Sequence, residues 1–148
     1  MALALRLARL KAEAIQAVFP GRPVLAADTV VAVGSELLEK PADAEENVRF
    51  LQRLSGRDHQ VVTGHVLLAG GTSAEEAPLT QVRFRSLTET EAWRYARSGE
   101  GLDKAGGYGL QGLGGALVET INGCYTNVIG LSLPAVIRMM ERLGVRVA

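Results

Sequence analysis

Asp28 is the first residue whose type and position suggest chemistry. It lies beside Thr29 in an apolar, β-branched run, Val24–Val33, which is typical of a buried strand. A carboxylate in such a strand is costly unless it is paired, hydrogen-bonded or bound to a metal ion. Asp28 is therefore either a functional group or a strand-end residue that faces water or accepts from backbone amides. The residues alone leave both interpretations open.

The lysines of the chain have positions that suit the binding of an anion. Lysine supplies a compact positive charge for phosphate oxygens, although any single lysine is usually a solvated surface residue. Lys40 is followed by Pro41, which fixes the backbone at the end of a short strand. Lys104 lies beside Asp103 at the start of a glycine-rich stretch, and Lys11 lies on the first predicted helix. A phosphate-binding role and a solvated surface role both remain open for each.

The glycine-rich stretch carries one amide side chain, Gln111. Its sequence over 103–112 matches neither a P-loop nor a dinucleotide-binding fingerprint, which need a strand before, a helix after and other spacings. Glycines let backbone amides approach a ligand closely, and the amide of Gln111 can recognise the edge of a base. We favour a binding loop over a loop whose glycines only permit tight turns. The glycines of this region are Gly101, Gly106, Gly107, Gly109, Gly112, Gly114 and Gly115.

Other kinds of catalytic site find little support. Cys124 is the only cysteine, so an intrachain disulfide is impossible, and we interpret it as a small buried hydrophobe. His59 and His65 lie in an apolar run and are predicted to be strand residues, not metal ligands. No serine–histidine–carboxylate order is evident. The residues by themselves predict a small anionic ligand held by lysines, with Asp28 as a base or a metal ligand.

Composition limits the possible partners. The chain has 148 residues, of which 47% are hydrophobic and 22% charged, so it can form a core. Sixteen basic residues balance sixteen acidic ones, which argues against an extended nucleic-acid surface. The apolar start, residues 1–10, is interrupted by Arg6 and Arg9 too early for a signal peptide. No segment is predicted to span a membrane, and we expect a cytoplasmic protein.

The first half of the chain alternates helix and strand patterns. Apolar residues at helical spacing predict an amphipathic helix that ends near Val18, before the buried strand at Val24–Val33. A short strand follows around Leu37. Asp43 and Glu46 resemble a capping box and predict the next helix, and a long strand is expected over 59–69.

The second half predicts two hairpins and two helices. Residues 70–78 read as a polar loop, followed by a strand over 79–85 as the hairpin partner of the preceding strand. Thr88 and Glu91 form a capping box that starts a helix. Asn122-Gly123 predicts a hairpin between strands over 116–121 and 124–129. Ser132 then caps a final helix over 134–143, which completes a compact α/β domain with a mixed sheet.

Several motifs occur in the order and spacing of the Maf family of nucleotide pyrophosphatases. The resemblance covers essentially the whole chain, and the long glycine-rich motif is highly specific. The matching segments are Leu7-Ala8-x-x-Lys11-Ala12, Ala27-Asp28-Thr29, Glu39-Lys40-Pro41, Leu54-Ser55-Gly56, Leu102 to Gln111-Gly112, and Gly123-Cys124-Tyr125-Thr126-Asn127-Val128.

The resemblance implies a fold and a reaction. The expected fold is a single Maf-like domain over 1–148, related to inosine triphosphate pyrophosphatase. It has an elongated mixed β-sheet flanked by helices, a cleft between two lobes, and often a homodimeric partner. The implied activity is hydrolysis of nucleoside triphosphates to the monophosphate and pyrophosphate with a divalent cation, Mg²⁺ or Mn²⁺.

The resemblance also implies residue roles. Asp28 matches the proton acceptor of the family and is a possible metal ligand. Lys11, Lys40 and Lys104 match phosphate-facing lysines. Thr29 and Gln111 match positions that accompany a preference for dTTP and UTP, whereas a sister group that prefers 7-methyl-GTP differs at both.

The sequence departs from the family pattern at its start. Family members begin with a strand that leads into a Ser-x-Ser-Pro-Arg loop, followed later by an acidic pair, and this sequence contains neither. We therefore expect a domain that is incomplete at its N-terminus and weakly active or inactive as it stands. The alternative function is a non-catalytic nucleotide-binding regulator of septum formation. An inosine triphosphate pyrophosphatase is disfavoured by the loop that carries Gln111.

Overall fold

The computed structural model describes residues 1–146 as a six-stranded sheet with five α-helices. Short 3-10 turns at Ala105–Gly107 and Leu113–Leu117 lie in the glycine-rich stretch. The helices and strands are α1 (Ala2–Val18), β1 (Val24–Val33), β2 (Glu36–Leu38), α2 (Ala44–Leu54), β3 (Asp58–Ala69), β4 (Thr72–Glu76), β5 (Leu79–Phe84), α3 (Glu89–Arg97), β6 (Val118–Asn122), α4 (Tyr125–Ile129) and α5 (Leu133–Leu143).

The sheet has the strand order β2-β1-β3-β5-β6, and β4 pairs with β3 outside this path. The pairings β1–β2, β3–β4 and β5–β6 are antiparallel. The predicted α/β fold with a sheet and flanking helices is confirmed. No helix within residues 1–146 is long and apolar enough to cross a lipid bilayer.

Local capping signals correctly predicted where three helices begin. The backbone N–H of Glu46 donates to the Asp43 side chain (2.8 Å) at the start of α2. Thr88 and Glu91 form a reciprocal capping box at α3. Ser132 caps α5, which ends at Gly144 in the left-handed conformation. These groups satisfy backbone amides that have no partner inside the helix.

The prediction of a polar loop over residues 70–78 was wrong. The segment contains β4, which turns back on β3 through Gly70-Gly71 and pairs Ala69 with Thr72. Both glycines have positive φ, as a tight hairpin turn requires. The polar sequence of β4 has a weak strand propensity, so the sequence did not predict this strand. Pairing with β3 and burial of Ala74 override that propensity.

The predicted hairpin at Asn122-Gly123 was also wrong. β6 ends at Asn122 and pairs with β5, while the following residues form α4 instead of a strand. The N–H of Cys124 donates to the Thr80 hydroxyl (3.1 Å), which directs the chain away from a return strand. Cys124 is half-buried, not fully buried as predicted.

The chain divides into two compact units. Within the described residues, the first comprises Met1–Thr29, Val62–Leu79 and residues 126–146; the second comprises Val30–Val61 and Thr80–Tyr125. In the first unit, α1 packs through small side chains at Ala4, Ala8 and Ala12, all fully buried. Ala8 and Ala12 join an apolar cluster on β1 and β3 formed by Val24, Val66 and Leu68.

The core of the second unit contains a cluster of rings. His59, Phe84 and Tyr108 pack edge to face with centroids 4.7 to 5.4 Å apart. Nε2 of His59 also lies 2.7 Å from the Tyr108 hydroxyl. Burial lowers the pKa of His59 to about 4, although Asp58 partly opposes this change. The ring is therefore a neutral core residue near neutral pH.

We predict that Gly64→Ala strongly destabilises the fold. A Cβ at this position would lie 2.4 Å from the carbonyl carbon of Ala4 and 2.5 Å from the nitrogen of Leu5, so α1 must move. The free energy of unfolding should fall by about 3 kcal/mol in urea titration. Gly70→Ala is the matched control, since it meets positive φ but open space, and should cost about 1 kcal/mol. Equal losses would contradict the close packing of α1.

We also predict that acid destabilises the protein below pH 6.5. The unfolded chain protonates His59 near its ordinary pKa of 6.5, whereas the folded chain resists protonation down to about pH 4. Proton uptake at His59 therefore leaves the free energy of unfolding unchanged above pH 6.5 and lowers it progressively as the pH falls toward 4. Between pH 7.5 and 5.5 the free energy of unfolding should drop by about 1 kcal/mol from this residue. His59→Gln should lose that part of the pH dependence, and an unchanged pH profile in the variant would refute the assignment.

Candidate active site

Asp28 and Lys11 form an ion pair in the first unit. Asp28 lies in β1, in a half-buried section of the strand and not in the fully buried environment that its sequence suggested. Nζ of Lys11, on α1, contacts Oδ1 of Asp28. The Asp28 side chain is 18% exposed and that of Lys11 56%. A carboxylate that solvent can reach thus lies next to a cation that can also face phosphate oxygens.

Thr29 takes part in a chain of hydroxyl groups. Its Oγ1 lies 2.9 Å from Oγ1 of Thr63, on the neighbouring strand β3. The Thr63 hydroxyl donates to the backbone carbonyl of Asn127 (3.0 Å). Since a hydroxyl has one proton, Thr29 must be the donor to Thr63. Thr29 therefore offers only acceptor lone pairs to any further group.

Two of the predicted lysines interact with the same carboxylate in the second unit. Nζ of Lys104 donates to Oδ1 of Asp103 (3.0 Å). The hydrogen bond and charge of Lys104, with a contribution from Lys40, lower the pKa of Asp103. The N–H of Gly106 donates to the carbonyl of Glu39 (3.2 Å), which attaches the chain beside Lys40 to the glycine-rich stretch. Lys40 and Lys104 therefore form a cationic group around Asp103.

The start of the glycine-rich stretch is fixed by α2. Nδ2 of Asn47 donates to the carbonyl of Gly107 (2.7 Å), and Asn47 is completely buried. Gly106 and Gly107 both have φ of 78°, which side chains rarely adopt. A Cβ at Gly107 would lie 2.5 Å from Nδ2 of Asn47. Glycine is thus required here both for conformation and for space.

Gln111 is exposed and lies in the loop between Gly109 and Gly114. Tyr95 and Glu100 contact the backbone on both sides of it. Sequence reasoning missed these two residues, as it missed Asn47 and Thr63. A carboxylate just before a glycine-rich stretch, and a threonine inside an apolar strand, were the signals available.

The predicted site residues form two groups, one in each unit. Lys11, Asp28 and Thr29 belong to the first unit, and the second contains the remaining predicted positions. Those positions are Lys40, Lys104 and Gln111.

The histidines have structural partners, and their predicted location in a strand is confirmed. Nε2 of His65 accepts from the N–H of Ser132 (2.9 Å), and Nδ1 lies 3.4 Å from the carbonyl of Glu76. Burial lowers the pKa of His65, against the opposing effect of the Glu76 carbonyl. Within residues 1–146, no three His, Cys, Asp or Glu side chains are grouped so as to hold a metal ion. Carboxylates that act with a nucleotide-borne cation need not form such a group.

Comparison with known proteins identifies the family. Residues 1–143 match the family model described as Maf-like protein. The dTTP/UTP pyrophosphatase of Deinococcus radiodurans is 51% identical over 143 residues, which are 97% of this chain and 73% of the relative. The dTTP/UTP pyrophosphatase of Thermus thermophilus is 50% identical over 98% of this chain and 75% of the relative. That of Pyrococcus furiosus is 42% identical over 93% of this chain and 73% of the relative. With a match that spans nearly all its residues, the chain belongs to the Maf family.

Proposed function

We propose that this chain is a nucleoside triphosphate pyrophosphatase that prefers dTTP and UTP and releases the monophosphate and pyrophosphate. The observation that carries the proposal is the ion pair between Asp28 and Lys11. In it, a carboxylate that can act as a base lies beside a cation that can bind phosphate, in a chain about half identical to dTTP/UTP pyrophosphatases.

Asp28 is the proposed base. Cleavage between the α and β phosphates needs a water molecule aimed in line with the leaving pyrophosphate. The Asp28 carboxylate can orient that water and take its proton, and its partial exposure allows the water to reach it. Lys11 is also a proposed phosphate ligand, since its ammonium group can move between the Asp28 carboxylate and a phosphate oxygen.

Lys40 and Lys104 are the proposed phosphate ligands of the second unit. Both interact with Asp103, a strongly exposed carboxylate that substrate phosphates can replace as their partner. A triphosphate has more charge than one carboxylate, so the exchange favours the nucleotide. These lysines then neutralise charge that develops on the leaving pyrophosphate.

A divalent cation fits this site as a companion of the substrate. Mg²⁺ is commonly bound by one or two carboxylates together with phosphate oxygens. Asp28 is the carboxylate proposed to bind it, and Lys11 contacts one of the two oxygens of Asp28. When bound, the cation withdraws charge from the phosphate oxygens.

Thr29 and Gln111 are the proposed determinants of base preference. Thymine and uracil carry an N–H donor between two carbonyl acceptors, so they need an acceptor and donors from the protein. Thr29 offers an acceptor, because its proton is directed to Thr63. The Gln111 amide offers both an acceptor and donors.

The protein is further proposed to be a cytoplasmic homodimer that does not bind nucleic acid. The balanced charge of the chain supports the last part, since nucleic-acid binding depends on an excess of basic residues. The homodimeric state and the cytoplasmic location are proposed from the resemblance to the family.

A nucleotide panel tests the proposed activity. We expect dTTP and UTP with Mg²⁺ or Mn²⁺ to yield pyrophosphate and monophosphate, at rates about tenfold above those of ATP. The wrong base leaves polar groups of the site without partners, at roughly 1–3 kcal/mol. Products are separated by ion-exchange chromatography. Orthophosphate with a diphosphate product would reject the reaction, and a preference for 7-methyl-GTP would reject the substrate assignment. Nucleotide binding without any turnover would instead support the regulatory alternative.

Asp28→Asn tests the proposed base. We expect kcat for dTTP to fall about a hundred- to ten-thousand-fold, because the amide cannot accept the proton of water. The free energy of unfolding should change by less than about 1 kcal/mol, since the partner of Asp28, Lys11, is largely exposed and such ion pairs contribute little. Asp58→Asn is the matched control, because Asp58 is also a strand aspartate, paired with Arg83 at 3.1 Å. Near-normal turnover in Asp28→Asn, or unfolding of that variant alone, would show that Asp28 is structural.

A further inference from the structure

The Glu100 carboxylate holds one side of the loop that carries Gln111. Oε2 of Glu100 accepts from the N–H of Leu113 (2.9 Å), and Oε1 accepts from the N–H of Gly114 (2.9 Å). A Cβ at Gly112 would lie only 2.1 Å from Oε2. The carboxylate is therefore enclosed by loop backbone, in a space that only glycine at 112 leaves open.

Tyr95 holds the other side of the same loop. Its hydroxyl donates to Oε1 of Glu100 (2.8 Å) and accepts from the N–H of Gly109 (3.0 Å). The two ends of the loop also touch, because a Cβ at Gly114 would lie 2.1 Å from the carbonyl oxygen of Gly109. The loop is thus fixed on both sides of Gln111 by two connected side chains.

The protonation state of the Glu100 carboxyl group agrees with these hydrogen bonds. Burial raises the pKa of Glu100, but the hydrogen bonds from Gly114, Leu113 and Tyr95 outweigh it and lower the pKa overall. Burial raises the pKa of the Tyr95 hydroxyl, which therefore keeps its proton. An ionised carboxylate accepts all three donors, so Glu100 has a positioning role and not that of a proton donor.

We propose that Tyr95 and Glu100 are positioning residues that set the base preference of the enzyme by holding the Gln111 loop in place. The proposal rests on the function proposed above. One hydrogen bond at Gly109 and two at Leu113 and Gly114 leave the loop tip little freedom. An amide that recognises a base needs its donors and acceptor at fixed places. We refer to the two side chains together as the Tyr95–Glu100 clasp.

Amide hydrogen exchange tests the clasp without any nucleotide. In Glu100→Gln, an NH2 group replaces one acceptor oxygen, so at least one of the amides of Leu113 and Gly114 loses its acceptor and should exchange about tenfold or more faster. In Tyr95→Phe, the same should occur at Gly109. Glu89→Gln, an exposed carboxylate in the first turn of α3, is the matched control and should leave these amides unchanged.

Steady-state kinetics test the consequence for the substrate. Both clasp variants should lower the preference for dTTP over ATP by about fivefold or more, through a raised KM for dTTP with kcat within about twofold of wild type. Gln111→Ala should lower the preference by a similar factor. The double variant Glu100→Gln/Gln111→Ala should lose no more than Gln111→Ala alone, since Glu100 acts through Gln111.

Each result decides a separate point. Unchanged exchange at Gly109, Leu113 and Gly114 in both variants would overturn the clasp. Faster exchange with an unchanged preference, or additive losses in the double variant, would overturn the role in base preference. A wild-type protein that hydrolyses no nucleotide would overturn the proposed function, while the exchange rates would still show whether the clasp holds the loop.

Discussion

A glycine-rich segment has few side chains with which to pack, so its shape depends largely on hydrogen bonds supplied from elsewhere. In the second unit these come from Asn47 on α2, from Tyr95 on α3 and from Glu100 just beyond it. Each satisfies a backbone group that would otherwise lack a partner. Glycine allows the close approach, and the surrounding residues give it a definite conformation. The positions of Lys104 and Gln111 follow from this arrangement.

In the first unit, small side chains let helix α1 approach the sheet closely. Its short side chains, Ala4, Ala8 and Ala12, let α1 lie directly against the sheet, and at Gly64 the two backbones almost touch. This packing brings an exposed lysine on the helix to a half-buried aspartate on β1. Small residues that have no chemical role of their own thus help to bring Lys11 to Asp28.

Local signals predicted much of the fold. The capping groups of α2, α3 and α5, the hydrophobic periods and the breaks at glycine place most elements correctly. The failures lie where distant contacts decide the outcome. β4 is polar and exists because β3 pairs with it, and α4 replaces a strand because Thr80 binds the backbone at Cys124. Tertiary context overrides propensity in both cases.

The residues of the candidate site also differ in how far the sequence alone could identify them. Asp28 could be identified as a candidate from its residue type and position alone, whereas the lysines and Gln111 became stronger candidates because of the motifs that contain them. Thr63 and Glu100 had only weak signals in the sequence, because their importance comes from contacts with residues distant along the chain. Threonine in a strand and glutamate after a helix are ordinary in themselves.

The fixed direction of the Thr29 hydroxyl has a consequence for bases of equal size. Its proton is directed to Thr63, so the side facing outward presents lone pairs alone. Uracil carries N–H at N3, whereas cytosine carries a lone pair at that atom. If Thr29 faces this edge, a cytosine nucleotide meets repulsion where its deaminated counterpart gains a hydrogen bond. One hydrogen atom, held in place by a neighbouring strand, then distinguishes a base from the product of its own deamination.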